Sequence, residues 1–350
     1  MFLVGLGTAV PKRSFTQAEC WEALQRADRP ELTPRTRAIL QGILTHDNGI
    51  ARRSLALDSL DESFEIDPDT LHRRFARHAP ALASQAAQAA LDDAGLEPRA
   101  VDAALVSTCT GYLCPGLTSY VAERLGLRGD VLPLDLVGQG CGAALPNLRA
   151  AEALLAAGGF GNVLCVCVEV CSAAFYLDGD LGVLVSACLF GDGAGAVVVS
   201  SRPPSRRPLR WRSAASLTDP AQREALRFEQ RGGMLRNVLT LPVPDLAARR
   251  AREVLGTVLA REGLGANDIA AWILHAGGRK VLEALRSSIG LREGDLAWSA
   301  AMLRDYGNLS SPFVIFVLKA ALEGGAPRGR WWMSSFGAGF SCHGALLEVA

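Results

Sequence analysis

Three short segments recur in the same order in the two halves of this chain. A repeat of that kind restricts the fold to two related units sharing one core. Ala90-Leu91-Asp92-Asp93-Ala94-Gly95-Leu96, followed by the apolar run 101–106, returns as Val258-Leu259-Ala260-Arg261-Glu262-Gly263-Leu264 followed by 269–274. Both copies read as helix, Gly-Leu turn and buried strand. The segment 152–159 is matched by 319–325, and Phe190-Gly191-Asp192-Gly193 with the strand run 196–200 is matched by Phe336-Gly337-Ala338-Gly339 with 345–349. The expectation is an α/β fold of two halves, 1–205 and 206–350, related by a pseudo-twofold axis.

Counted back from the second matched pair, Cys141 and Asn308 fall at equivalent places, each just after a glycine at the start of a long apolar helix run. Helices as apolar as 145–155 and 312–322 are expected to lie between sheets rather than on a surface. The axis then brings the two helix starts together near the centre. His275, in Ile273-Leu274-His275-Ala276-Gly277-Gly278, ends a strand run and can join them. Cys141 itself lies in Gly140-Cys141-Gly142, between a strand-like run (131–137) and a helix-like run (143–157).

A thiol at a helix amino terminus feels unpaired backbone N–H groups, and a nearby imidazole can hold it as a thiolate, so Cys141 is expected to ionise well below the free value of about 8.5. The Asn308 amide offers N–H donors without a charge, and such donors stabilise an oxyanion or an enolate. All three groups adjoin apolar segments, which implies a dry cavity and favours acyl transfer to carbon over hydrolysis. Taken singly, a cysteine between glycines is a core thiol, a strand-end histidine is structural, and Gly-Asn makes a turn. Their convergence through the repeat favours a site.

The 350 residues, 49% of them hydrophobic, can bury a large aliphatic core. With 36 Lys+Arg against 36 Asp+Glu, no global field attracts nucleic acid or an anionic membrane. The opening Met1-Phe2-Leu3-Val4-Gly5 has no positive leader and no apolar run reaches membrane length, so a cytoplasmic protein is expected. Nine cysteines, mostly in apolar runs, suit reduced core thiols. Cys165, Cys167 and Cys171 share strand parity without a histidine beside them, which argues against a metal site. A dinucleotide loop at Gly5-Leu6-Gly7 is disfavoured because Pro11 stands where the fingerprint needs a helix.

The chain resembles the thiolase superfamily and, within it, the type III polyketide synthases of the chalcone and stilbene synthase family. The resemblance is carried by Gly140-Cys141-Gly142, Leu189-Phe190-Gly191-Asp192-Gly193-Ala194-Gly195-Ala196, His275-Ala276-Gly277-Gly278, Gly307-Asn308-Leu309-Ser310-Ser311 and Phe336-Gly337-Ala338-Gly339-Phe340. It implies a layered αβαβα fold, a homodimer, and CoA thioesters (an acyl-CoA starter and malonyl-CoA) as substrates with no other cofactor. It implies further that Cys141 carries the growing chain, that His275 and Asn308 stabilise the enolate left by decarboxylation of malonyl-CoA, and that Phe190 is the gate between the CoA tunnel and the cavity. Cys109, Thr110, Cys114, Cys171, Ala174, Gly277, Ser310, Gly337 and Ala338 are the implied substrate-binding positions, with Cys114 reaching the partner subunit's cavity.

Small residues at several cavity positions point to an acyl starter of medium or long chain and a pyrone or resorcinol-type product. The chain departs from the family pattern at Ala276 and Ala338, where proline is usual, and around Arg236-Asn237-Val238, where a second phenylalanine is usual. Arg35, Arg37, Arg52 and Arg53 are candidates for the CoA phosphates but read better as a solvated basic face. The rival readings are a single-condensation β-ketoacyl carrier-protein synthase and a non-catalytic acyl-binding or scaffold homodimer.

Overall fold

The apolar runs of the repeat become strands of one sheet in the computed structural model, which describes residues 1–27, 30, 32–174, 176, 180–204 and 209–350. In chain order the strands are β1 (Phe2–Ala9), β2 (Ser14–Thr16), β3 (Arg52–Ser54), β4 (Ala103–Thr108), β5 (Leu132–Val137), β6 (Asn162–Glu169) and β7 (Gly193–Ser200). They continue as β8 (Leu209–Thr218), β9 (Leu226–Arg231), β10 (Met234–Leu239), β11 (Ile269–Leu274), β12 (Gly329–Gly337) and β13 (Ser341–Val349). Nine of them hydrogen-bond in the order β11-β12-β13-β8-β1-β7-β6-β4-β5; β9 with β10 and β2 with β3 form two small ribbons.

Read outward from the middle, that order is symmetric. From β1, the first half pairs antiparallel to β7, antiparallel to β6 and parallel to β4. From β8, the second half pairs antiparallel to β13, antiparallel to β12 and parallel to β11. Only β5, at the far edge, has no counterpart. The halves join through two residue pairs, Phe2↔Arg210 and Leu3↔Leu209. The expected boundary between 205 and 206 lies outside the described residues.

Helices complete the layers. The Pro68–Ala94 helix begins at an Asp67 cap with proline in its first turn and ends at Gly95 in the left-handed conformation. Its counterpart, Val243–Glu262, ends the same way at Gly263. The first covers β1, β7 and β6 from outside, the second β13, β8 and β12. Between the two sets of strands lie Ala144–Ala157 and Phe313–Glu323, each touching strands of both halves. The fold is therefore the thiolase-like five-layer αβαβα arrangement. Phe313 to Leu318 are buried without a break, as a helix apolar on every face requires. Ala144–Ala157 differs, because its last turn with Leu154 and Leu155 emerges half-exposed. No helix among the described residues is long and apolar enough to cross a membrane.

Two local readings gain a physical reason. The run 131–137 forms the edge strand β5 and alternates half-buried with exposed residues, leaving Val137 58% exposed. Gly5 and Gly7 serve packing, not phosphate binding: a Cβ on Gly7 would stand 2.0 Å from the Ala86 carbonyl oxygen of the covering helix, and one on Gly5 would stand 2.1 Å from that of Ala90. Gly7→Val is therefore expected to lower the unfolding free energy by about 3 kcal/mol or more. Gly256→Ala, on the exposed face of Val243–Glu262 with open space around it, should raise it by about 0.5–1 kcal/mol. Denaturant midpoints of the two variants check both signs.

Candidate active site

The turn that carries Cys141 is held by the other half of the chain. After β5 the backbone passes through Gly138 and Gly140, both with positive φ, into a 3-10 turn, Gly140–Gly142, that leads to the Ala144–Ala157 helix. A Cβ on Gly337 would lie 2.3 Å from the Gln139 carbonyl oxygen and 2.5 Å from the Gly142 nitrogen. Ser335 donates to the Gly142 carbonyl at 3.1 Å. The helix start thus rests on the β12–β13 turn with almost no side chain between them.

Asn308 is fixed in the same manner from the opposite side. Its backbone N–H donates to the Leu189 carbonyl at 2.9 Å and its carbonyl accepts from Gly191 at 3.0 Å, so it is laddered beside Phe190. The side-chain Oδ1 accepts from the Ser310 backbone N–H at 2.8 Å and Nδ2 donates to the Gly277 carbonyl at 2.9 Å. An amide carries two N–H donors, so one is left over. Ser310, held by this bond, is left-handed at φ 60, an uncommon conformation for a residue with a Cβ. Its hydroxyl donates to Cys141 Sγ at 3.2 Å.

His275 directly follows β11, and its backbone N–H donates to Ser334 at 2.9 Å. The imidazole stands edge-on to Phe313 and Phe336, with centroids at 5.4 and 4.9 Å. Neither ring nitrogen has a hydrogen-bond partner among the described residues. The three sequence candidates are thus joined by one thread: Cys141 to Ser310, Ser310 to Asn308, and Asn308 to Gly277, two residues beyond His275.

Burial dominates the electrostatics. Desolvation pushes the Cys141 thiol up to about 12, against the pull of the Ser310 hydrogen bond and with a further push from Glu169. This corrects the expectation of a depressed value. Cys141 is 8% exposed and its polar side-chain contact is a neutral hydroxyl rather than an imidazolium, so that hydrogen bond does not outweigh the loss of water. Burial alone lowers His275 to about 3, which leaves the ring neutral.

Glu169, at the end of β6, was not singled out in the sequence. The carboxylate is fully buried and accepts hydrogen bonds from Ser311 Oγ at 2.5 Å, Thr110 Oγ1 at 2.9 Å and the Cys109 backbone N–H at 3.0 Å. Cys109 Sγ and Thr108 Oγ1 donate as well, each at 3.3 Å. Desolvation raises its pKa. The signal was there: Glu169 is the single charge ending the apolar run Leu164-Cys165-Val166-Cys167-Val168, and charges are almost never fully buried without partners.

The remaining candidates divide. Phe190 and Cys171 pack on Cys141 in one buried cluster. Cys109, Thr110 and Ala338 line a cavity of about 470 Å³ beside the Gly140–Gly142 turn, but it is Ala173 that lines it rather than the fully buried Ala174. Gly277 and Gly337 act through their backbones, as described. Cys114 is exposed, away from this cavity. Asn237 is buried and bonded to Ser186, while Phe228, directly across the ribbon from it, reaches the Cys141 cluster. The aromatic missing at 236–238 is therefore supplied by the neighbouring strand. Arg53 corrects the reading of a solvated basic face. It is buried, donating to the carbonyls of Ala187 and Phe190 at 2.5 and 2.8 Å and to Gln17 at 3.1 Å, so it fixes the backbone at Phe190.

Comparison with known proteins agrees with this arrangement. Residues 16–218 match the FAE1/type III polyketide synthase-like proteins, and residues 218–348 match the C-terminal domain of chalcone and stilbene synthases. The chain is 31% identical to a 3,5-dihydroxyphenylacetyl-CoA synthase of Streptomyces toyocaensis over 93% of this chain and 84% of that one. It is 28% identical to an α-pyrone synthesis polyketide synthase-like protein of Mycobacterium tuberculosis over 99% and 90%. The crystal structure of 1,3,6,8-tetrahydroxynaphthalene synthase from Streptomyces coelicolor superposes with a TM-score of 0.89 at 25% identity, covering 100% of this chain and 99% of that one. With both family matches tiling the chain and the fold shared end to end, the chain belongs to the type III polyketide synthases, the family of the chalcone and stilbene synthases.

Proposed function

We propose that Cys141 takes the starter acyl group from acyl-CoA as a thioester, and that His275 and Asn308 hold the enolate formed when malonyl-CoA loses carbon dioxide. The observation that carries this reading is the hydrogen-bond thread from Cys141 through Ser310 and Asn308 to Gly277, beside His275. Condensation of malonyl-CoA and cyclisation of the product are the chemistry of the family. The further assignments are a cytoplasmic homodimer, with CoA thioesters as substrates and no other cofactor.

Unpartnered polar atoms in a buried site cost about 1–3 kcal/mol each. The two nitrogens of His275 and the spare N–H of Asn308 are such groups. A ligand oxygen gaining negative charge accepts from the single N–H of the neutral ring and from the spare N–H of Asn308. Both donors are neutral, so they stabilise the enolate without quenching it by proton transfer, and the edges of Phe313 and Phe336 keep water from the carbon that must attack. The enolate then attacks the Cys141 thioester. A carbon–carbon bond forms, and the sulfur leaves with the electron pair of the carbon–sulfur bond.

The cavity of about 470 Å³ falls within the range of about 300–1,000 Å³ usual for small-molecule sites. Leu71, Phe75, Met234 and Leu235 give it an apolar flank, which supports a medium or long acyl starter and a pyrone or resorcinol-type product. A second reading, aromatic closure of a chain built from short units, is favoured by its polar flank of Thr108, Thr110, Arg227 and Gln230 and by the aromatic products named in two of the relatives. The exposed Tyr112 and Val137 at its mouth suit closure by a second copy.

Incubation with malonyl-CoA and a ladder of acyl-CoA starters, read by mass spectrometry, separates the two product readings. Rising turnover with chain length is expected; turnover of malonyl-CoA alone to an aromatic product selects the second. Cys141→Ala should abolish acyl loading, whereas Asn308→Ala should slow malonyl-CoA decarboxylation by about 100-fold or more, measured as carbon dioxide release. A thiol with a raised pKa gains thiolate as pH rises, so alkylation of Cys141 by iodoacetamide should accelerate about tenfold per unit between pH 6 and 9. A plateau near pH 7 in that rate would mean that His275 holds the thiolate instead.

A further inference from the structure

The ribbon formed by β9 and β10 is a sheet of two strands, separate from the nine-stranded one among the described residues. An isolated two-stranded ribbon is marginally stable, so its place depends on what its side chains grip. Successive side chains point to opposite faces. On one face Gln230 and Leu235 line the cavity of about 470 Å³, while Phe228 reaches the Cys141 cluster. On the other, Glu229 and Arg236 stand directly opposite each other and take no part in the cavity wall.

That outer face carries charges of alternating sign. Arg227 donates to Glu224 from Nε at 2.7 Å and to Glu229 from Nη1 at 2.6 Å, and Glu229 accepts in turn from Arg236 Nη1 at 3.2 Å. Arg236 Nη2 then reaches off the ribbon to Asp180. Asp180 caps the Leu181–Leu189 helix, its Oδ1 accepting from the backbone N–H groups of Gly182 and Val183 at 3.0 and 3.2 Å while Oδ2 meets Arg236. A second bond joins the same two elements: Asn237 Nδ2 donates to Ser186 Oγ at 2.8 Å, and the Ser186 carbonyl accepts from the Phe190 N–H at 3.0 Å. The ribbon wall and Phe190 thus share one short helix as their support. The Arg236 side chain is 18% exposed, so its ion pairs are screened less than those of a surface arginine.

We propose that Arg236 is a specificity-determining residue: it holds the ribbon against the Leu181–Leu189 helix and thereby sets the depth of the chamber, and with it the number of malonyl units added before release. The inference rests on the reading of this chamber as the place where the chain grows on Cys141. Each extension lengthens the thioester by two backbone carbons and a carbonyl oxygen, which must be housed against Phe228, Gln230 and Leu235. Packed walls take up one of a few arrangements and do not yield gradually. With Arg236 bound to Asp180 the ribbon sits close and chains stop early. Without that bond the ribbon moves outward and longer chains fit. Arg236 acts by position and not on the reacting atoms, so release of carbon dioxide from malonyl-CoA does not depend on it.

The test measures products from malonyl-CoA and the best starter of the acyl-CoA ladder by mass spectrometry, as the ratio of longer to shorter polyketides, with carbon dioxide release in parallel. Arg236→Met keeps the aliphatic stem and removes the charge, whereas Asp180→Asn removes the charge and keeps a side chain that caps a helix equally well. Both should raise the ratio by about threefold or more and leave carbon dioxide release unchanged. A ribbon bond that served stability alone would lower the yield of every product at a constant ratio. That outcome, or an unchanged ratio in both variants, overturns the proposal. Asp180→Asn decides the matter if Arg236→Met does not fold. A wild type that forms no polyketide with any starter removes the premise itself, a result distinct from an unmoved ratio.

Discussion

Backbone meets backbone where the two halves of the chain cross, and everything at the site follows from that contact. Gly337 approaches Gln139 and Gly142 so closely that it has no room for a Cβ, a Cβ on Gly142 would be tight at 3.2 Å, and Asn308 ladders directly onto Leu189 and Gly191. Side chains placed on such a frame inherit its rigidity, because main-chain hydrogen bonds leave few alternative arrangements. Cys141, Ser310, Asn308 and His275 are separated by up to 169 positions in sequence, the span from Cys141 to Ser310, yet rest on the same two crossings. Arg53 reinforces the second crossing by tying the carbonyls of Ala187 and Phe190 to Gln17.

Sulfur in this setting is kept as a thiol by the absence of water, not made acidic by a neighbouring cation. That changes how the site is understood. In the substrate-free chain the Cys141 thiol meets the Ser310 hydroxyl, and both ring nitrogens of His275 lack a hydrogen-bond partner among the described residues. The neutral His275, pressed between two phenylalanine edges, and the uncommitted N–H of Asn308 are arranged for a ligand oxygen. Glu169, with five hydrogen-bond donors around its two oxygens, has its pKa raised by burial.

Much of this was legible in the amino-acid order. The repeat pointed to an α/β fold of paired halves and to the burial of the apolar helix whose Phe313 to Leu318 are buried, because apolar period and glycine placement are local signals of global pairing. What stayed hidden depends on distances that no spacing encodes. The ionisation of Cys141 was misjudged because desolvation is a property of the assembled site. Arg53 looked like surface because its partners are backbone carbonyls more than 130 positions away. Phe228 was overlooked because it occupies the opposite strand of its ribbon, across from Asn237.

Symmetry of the strand order carries one more implication. Cys141 and Asn308 occupy matching places in the two halves, so an ancestor assembled from two identical subunits would have presented the same side chain twice. A nucleophile facing a second nucleophile cannot also cradle an enolate. A single polypeptide is free of that constraint, since each half carries its own side chain at the twin position, a thiol at Cys141 and a carboxamide at Asn308.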